Sequence, residues 1–181
     1  MGDSTASKSV FAVTVVGADR PGIVAAVTRV LYELGCNLED VTSTILRGHF
    51  TMVLVVRAPE PTDEATLERA LQAPARELGL TVTARPVERG ISEPSEPTHM
   101  VSVYGADRPG IVFRVAETLA GAGINITDLT SRLIDSQQQP VYALMLEVSA
   151  PENLMVEPVL DALRAELGVD LSVHPIGADV L

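Results

Sequence analysis

The octet Gly-Ala-Asp-Arg-Pro-Gly-Ile-Val occupies residues 17–24 and returns, letter for letter, at residues 105–112. Its residue types suit binding better than catalysis. Where such a turn opens a helix, the first backbone N–H groups have no partner in the chain, and together with the helix dipole they favour an anion. Gly22 and Gly110 let a ligand approach the backbone without a Cβ in the way. Pro21 and Pro109 fix the backbone where the helix begins. Asp19 and Asp107 have two readings: a cap on the helix, or an acceptor for a ligand ammonium. Asn37 and Asn125 also have two: an amide that both donates and accepts toward a zwitterion, or a left-handed C-cap.

Other reactive types are not arranged for chemistry. His49, His99 and His174 fall on different elements, so a shared metal site is not expected. Cys36 has no base next to it and reads as a buried structural thiol. The Thr42-Ser43 and Thr130-Ser131 pairs have no His and Asp beside them, so nucleophilic catalysis has no support. Asp40 and Asp128 read as solvated charges at a strand edge. No catalytic residue, metal or cofactor is expected.

The octet belongs to a longer repeat. At an offset of 88 residues Gly35 meets Gly123, Asn37 meets Asn125, Asp40 meets Asp128, and Thr42-Ser43 meets Thr130-Ser131. Ala58-Pro59 meets Ala150-Pro151 at an offset of 92, which places four extra residues in the second copy, within the segment Asp-Ser-Gln-Gln-Gln-Pro at 135–140. The chain is a tandem duplication.

Each copy reads βαββαβ. Residues 10–16 are a β-branched run and form a strand. Ile23, Val24, Val27, Val30, Leu31 and Leu34 recur at helical spacing, as do Ile111, Val112, Val115, Leu119 and Ala122, and a glycine ends each stripe. Residues 38–46 alternate like a half-buried strand, and Arg47-Gly48-His49 turns them into a second strand at 50–56. A helix within 62–78 is expected to kink or break at Pro74. Residues 80–84 close the unit. This order predicts an α+β fold of two ferredoxin-like sandwiches. Val13, Val15, Val101 and Val103 should face the helices. Thr14, Thr51, Thr83, Ser102 and Ser172 should face away, mixed with Val16, Val53 and Met145. That outer face is open between solvent and a covering sheet, and sheet-to-sheet pairing of the units with further association of two chains is expected. The domains are placed at 9–87 and 99–177, joined by a Pro-, Ser- and Glu-rich linker at 88–98.

The bulk numbers exclude several classes of function. The 181 residues are 46% hydrophobic but only 3% aromatic, so the core is built from Val, Leu, Ile and Ala. There are 13 basic and 24 acidic residues, a net charge of −11. Neither half has the basic surface that phosphate neutralisation demands, so direct nucleic-acid binding is not expected. One cysteine permits no internal disulfide and no Cys-based zinc site. No run is long and apolar enough for a membrane span, and the first ten residues have no apolar signal core. A cytoplasmic protein is expected.

On the segments ADRPGIV…LGCNLEDVTS and ADRPGIV…AGINITDLTS, the chain resembles ACT domains, small amino-acid-sensing regulatory modules. Its tandem arrangement is similar to the group of ACT proteins that includes glycine cleavage system transcriptional repressors. The resemblance implies a ligand at an interface between two domains. It implies contacts from Asp19, Arg20, Pro21, Gly22, Ile23, Asn37 and Leu38, and from Asp107, Arg108, Pro109, Gly110, Ile111, Asn125 and Ile126. The function so implied is a non-enzymatic sensor of glycine, serine or a similar amino acid. It would act through a protein partner, controlling transcription indirectly or a metabolic enzyme. A ligand-free dimerisation module is the alternative. A minor one is an acylphosphatase-like enzyme, since residues 109–114 place Arg114 after a Gly-rich loop.

Overall fold

In the computed structural model, residues 9–87, 95–134 and 140–177 are described. The first copy runs β1 (Ser9–Ala18), α1 (Ile23–Glu33), β2 (Asn37–Leu46), β3 (His49–Ala58), α2 (Glu64–Leu78) and β4 (Leu80–Pro86). The second runs β5 (His99–Ala106), α3 (Ile111–Gly121), β6 (Asn125–Ile134), β7 (Val141–Ser149), α4 (Val156–Leu167) and β8 (Asp170–Pro175). The chain divides into two compact units on either side of Ile91 and Ser92. Each holds a four-stranded sheet, ordered β2-β3-β1-β4 and β6-β7-β5-β8, and every pairing is antiparallel. This is the expected ferredoxin-like arrangement, twice.

Alternation along β1 explains the core. Phe11, Val13 and Val15 are buried, and they meet Ile23, Val27 and Leu31 from α1 and Leu67 and Leu71 from α2. The second unit repeats this with Val101 and Val103 against Ile111, Val115 and Leu119, and with Leu160 and Leu163 from α4. Val24 and Val112, counted with the apolar stripe, are exposed. They lie one position beyond the helix face that the sheet covers.

Local chemistry fixes the element ends. Gly35 and Gly123 take left-handed φ values of 72° and 71° just past α1 and α3, the position where a Cβ is penalised. Asn37 and Asn125 are the first residues of β2 and β6, so neither is a left-handed cap. Arg47 and Gly48, with φ of 49° and 80°, form a two-residue turn with the twist that a tight hairpin needs. The corresponding segment 135–139, where the extra residues were placed, lies outside the described residues.

α2 starts at Asp63, whose carboxylate accepts the Thr66 amide at 2.8 Å. Of the kink or break expected at Pro74, the break does not occur: the helix continues to Leu78. One hydrogen bond is lost there, but Leu67 and Leu71 are fully buried upstream and Leu78 packs on the core downstream, so tertiary packing outweighs the missing bond. At the outer edge of each sheet a helix side chain reaches the strand backbone. Glu68 of α2 accepts the Ala84 amide at 2.9 Å, and Arg164 of α4 donates to the Leu171 carbonyl at 3.1 Å.

β2 and β6 differ from expectation. Every residue of β2 is exposed, and so are all of β6 except Ile126. Leu38, Val41 and Ile45 pair with Val56, Leu54 and Phe50, which are buried beneath the helices. They therefore share the helix-side face, yet they are 39%, 45% and 58% exposed because these edge strands lie beyond the helices' cover.

Candidate functional site

The octet divides into residues that the fold needs and residues that it does not. A Cβ on Gly17 would stand 2.6 Å from Leu80 Cδ2, and one on Gly105 would stand 2.7 Å from Val169 Cγ1. Both positions are glycine because β1 and β5 pass so close to the start of the last strand. Gly22 and Gly110 are N-caps with φ, ψ of 95°, −9° and 98°, −8°, a left-handed conformation that disfavours any side chain. A Cβ there would meet nothing within 4 Å, so the space over these glycines is open. Ile23 and Ile111 are core residues, 1% and 2% exposed, which leaves only their backbone for a ligand. Asp19, Arg20, Pro21 and Val24 are exposed, as are Asp107, Arg108, Pro109 and Val112. Among the described residues, no ion pair or side-chain hydrogen bond involves Asp19, Arg20, Asp107 or Arg108.

The capping reading of the two aspartates closes here. Neither α1 nor α3 has a side-chain cap bond at its N-cap, so Asp19 and Asp107 are not caps. The prolines precede the N-cap instead of occupying the first helical position, and they shape the turn leading into it. The first intrahelical bonds run from Ala26 N to Gly22 O and from Arg114 N to Gly110 O, both 2.9 Å. The donors of residues 23–25 and 111–113 therefore precede the helix ladder and have no intrahelical acceptor.

Asn37 and Asn125 are exposed at the other end of the same helices, each followed by a β-bulge. The bulges lie between Leu38 and Asp40 and between Ile126 and Asp128. The first is braced by an ion pair of Glu39 with Arg57. Leu38 lines a groove of about 470 Å³ with Ala25, Thr28, Arg29, Tyr32 and Cys36, so the start of β2 and the flank of α1 form one largely apolar trough. Ile126 instead packs against the second core. Alternation in β2 and β6 could not reveal this trough. Its trace in the sequence is Leu38 alone, the first of the apolar set Leu38, Val41 and Ile45 on that strand.

The remaining candidates fall as follows. Asp40 is exposed, and its Oδ1 accepts the Val41 amide at 2.8 Å. Cys36 is half-buried, and burial raises its thiol pKa above the usual value, which suits an inert thiol. Arg114, the residue behind the acylphosphatase reading, is bound to Glu166 at 2.7 Å and to Glu117 at 2.5 Å, so its charge is already matched. His49, His99 and His174 begin β3, begin β5 and lie in β8. Among the described residues no cluster of three metal-ligating side chains exists, and no helix is long and apolar enough to cross a membrane.

Known proteins resemble the chain over almost all of its length. The glycine cleavage system transcriptional repressor of Escherichia coli is 27% identical over 176 residues, 94% of this chain and 92% of that protein. A phosphoserine phosphatase of Mycobacterium tuberculosis is 32% identical over 91% of this chain, which spans 40% of the phosphatase. A crystal structure of a protein from Galdieria sulphuraria is 26% identical, with a TM-score of 0.79 over 94% of this chain and 100% of that one. Residues 9–85 and 99–168 each match the ACT domain. The chain belongs to the ACT domain family and carries two such domains in tandem.

Proposed function

We propose that this protein is a non-enzymatic sensor of a small amino acid, glycine, serine or a relative, that regulates by protein–protein contact. One observation carries the reading. Asp19, Arg20 and Pro21 recur as Asp107, Arg108 and Pro109, exposed beside uncapped helix donors, although nothing in either unit's packing requires them. A zwitterion needs N–H donors for its carboxylate and oxygen acceptors for its ammonium. The free donors at residues 23–25 and 111–113 and the carboxylates of Asp19 and Asp107 supply both. Asn37 with Leu38, and Asn125 with Ile126, lie past the opposite ends of α1 and α3, so they meet the same ligand only where they are presented by a second, facing domain. The family and the repressor relative support a regulatory role. The net charge of −11 favours an effect on transcription exerted through a protein partner. Two chains associate to form the working assembly.

Calorimetric titration with a panel of amino acids tests the reading. Saturable heat with one small amino acid, lost in the Asp19→Ala, Asp107→Ala double variant, is the expected result. The exposed trough of β2 and α1 favours a second reading, a ligand-free dimerisation module. It predicts no heat with any amino acid, together with a stable dimer.

A further inference from the structure

The outer face of the second sheet holds a cleft of about 330 Å³ that the repeated loop does not touch. Its floor is apolar, built from Met100, Tyr104 and Met145, and its wall carries Asp128 and Glu147. These two acids are directly opposed across β6 and β7. Like charges placed so oppose each other, and among the described residues neither makes an ion pair. Arg132 lies at the far end of the cleft, four residues along β6 from Asp128. That is about 13 Å along a strand. Ser102 of the central β5, opposite Met145 and Ser172, is only 9% exposed.

The duplication supplies an internal control. Matching the two registers, the first unit has Ala12 for Met100, Val16 for Tyr104, Val53 for Met145, Val55 for Glu147 and Thr44 for Arg132. Asp40 answers Asp128, and Thr42 answers Thr130. The scaffold therefore does not demand the long apolar floor or the second carboxylate, which the second unit alone carries.

We infer that this cleft binds a small organic ammonium with an apolar or aromatic body. The ammonium sits between Asp128 and Glu147, and the body lies on Met100, Tyr104 and Met145. A cation there relieves the opposed charges, and methionines supply an adaptable apolar floor. The size is at the lower end of small-molecule pockets. The inference does not depend on the loops binding an amino acid.

The test uses the full chain with its methionine methyl groups labelled with carbon-13, titrated with 2-phenylethylammonium and, separately, with neutral 2-phenylethanol. The Met100 and Met145 resonances should move saturably with the ammonium, while Met52, 1% exposed in the first core, stays in place. The alcohol should bind at least about tenfold more weakly, the scale of one charged hydrogen bond. The Asp128→Asn, Glu147→Gln double variant should bind both alike, and Glu147→Val alone should weaken the ammonium. Asp40→Asn should change nothing. Equal binding of alcohol and ammonium by the unaltered protein would overturn the inference. So would the absence of movement up to about 10 mM ligand. Resonances that shift with protein concentration alone would give the face to a second copy and overturn it too.

Discussion

The Asp19 amide donates to the Gly48 carbonyl at 2.8 Å, so the first repeated loop hangs from the hairpin turn between β2 and β3. Its position depends on a turn 29 residues further along the chain. Gly48 has a φ of 80°, and Gly48→Ala should cost about 1–2 kcal/mol. Urea unfolding should show that loss, and hydrogen exchange should show the Asp19 amide losing protection ahead of the core strands.

Asp19→Ala and Asp107→Ala should leave the melting temperature nearly unchanged, because neither residue caps a helix. Their effect should fall on amino-acid affinity, by about one to two decades for a charged hydrogen bond. Asp63→Ala, which removes a real cap, should instead lower the melting temperature and leave affinity alone. Paired thermal scans and calorimetry separate the two kinds of aspartate.

Gly17→Ala and Gly105→Ala should each destabilise by about 1–3 kcal/mol through overpacking, since the new methyl meets Leu80 or Val169. Leu80→Ala should partly rescue Gly17→Ala and leave Gly105→Ala untouched. A double-mutant cycle in denaturant measures the coupling.

Val41→Lys with Leu129→Lys should lower the mass found by light scattering without lowering the melting temperature of the released chain. Both residues are already exposed, so the lysines cost the individual unit little.

The Thr66 hydroxyl and amide hold the Asp63 carboxyl below its ordinary pKa, with Arg69 adding to the effect. A depressed carboxyl stabilises the fold above its unfolded pKa, and the contribution is lost as pH falls through the folded value. The cap should therefore fail on the acid side of the ordinary aspartate range. Asp63→Asn keeps an acceptor but does not titrate there, so its melting temperature should fall less steeply on acidification than that of the unaltered chain.

Much of this fold was legible because the sequence repeats its own signals. Ile23, Val27 and Leu31 mark one helix and Ile111, Val115 and Leu119 another, and Gly35 and Gly123 end both. Periodicity tells which residues share a face, but not whether anything covers it. That is why Leu38, Val41 and Ile45 read as half-buried and are exposed. Pro74 does not break α2 for a related reason: its local penalty was plain, whereas the buried Leu67 and Leu71 that hold the helix together belong to tertiary structure. In the loop, the eight letters were legible as a unit. Their division into Gly17, Gly22 and Ile23 for the fold and Asp19, Arg20 and Pro21 for the surface needed the backbone angles and the neighbours of each Cβ.

The contacts of Glu68 with Ala84 and of Arg164 with Leu171 have a consequence for assembly. They act as stoppers on one margin of each sheet, whereas the margin formed by β2 or β6 stays live. A sheet with one stoppered and one live margin has a valence of one: it can accept a single neighbouring strand and then terminates. Such a unit can join its backbone to a partner without seeding the open-ended stacking that unprotected margins invite. The chain carries two such units, hence one live margin on each sheet, and withdrawing Glu68 or Arg164 would open the second margin of that sheet to pairing.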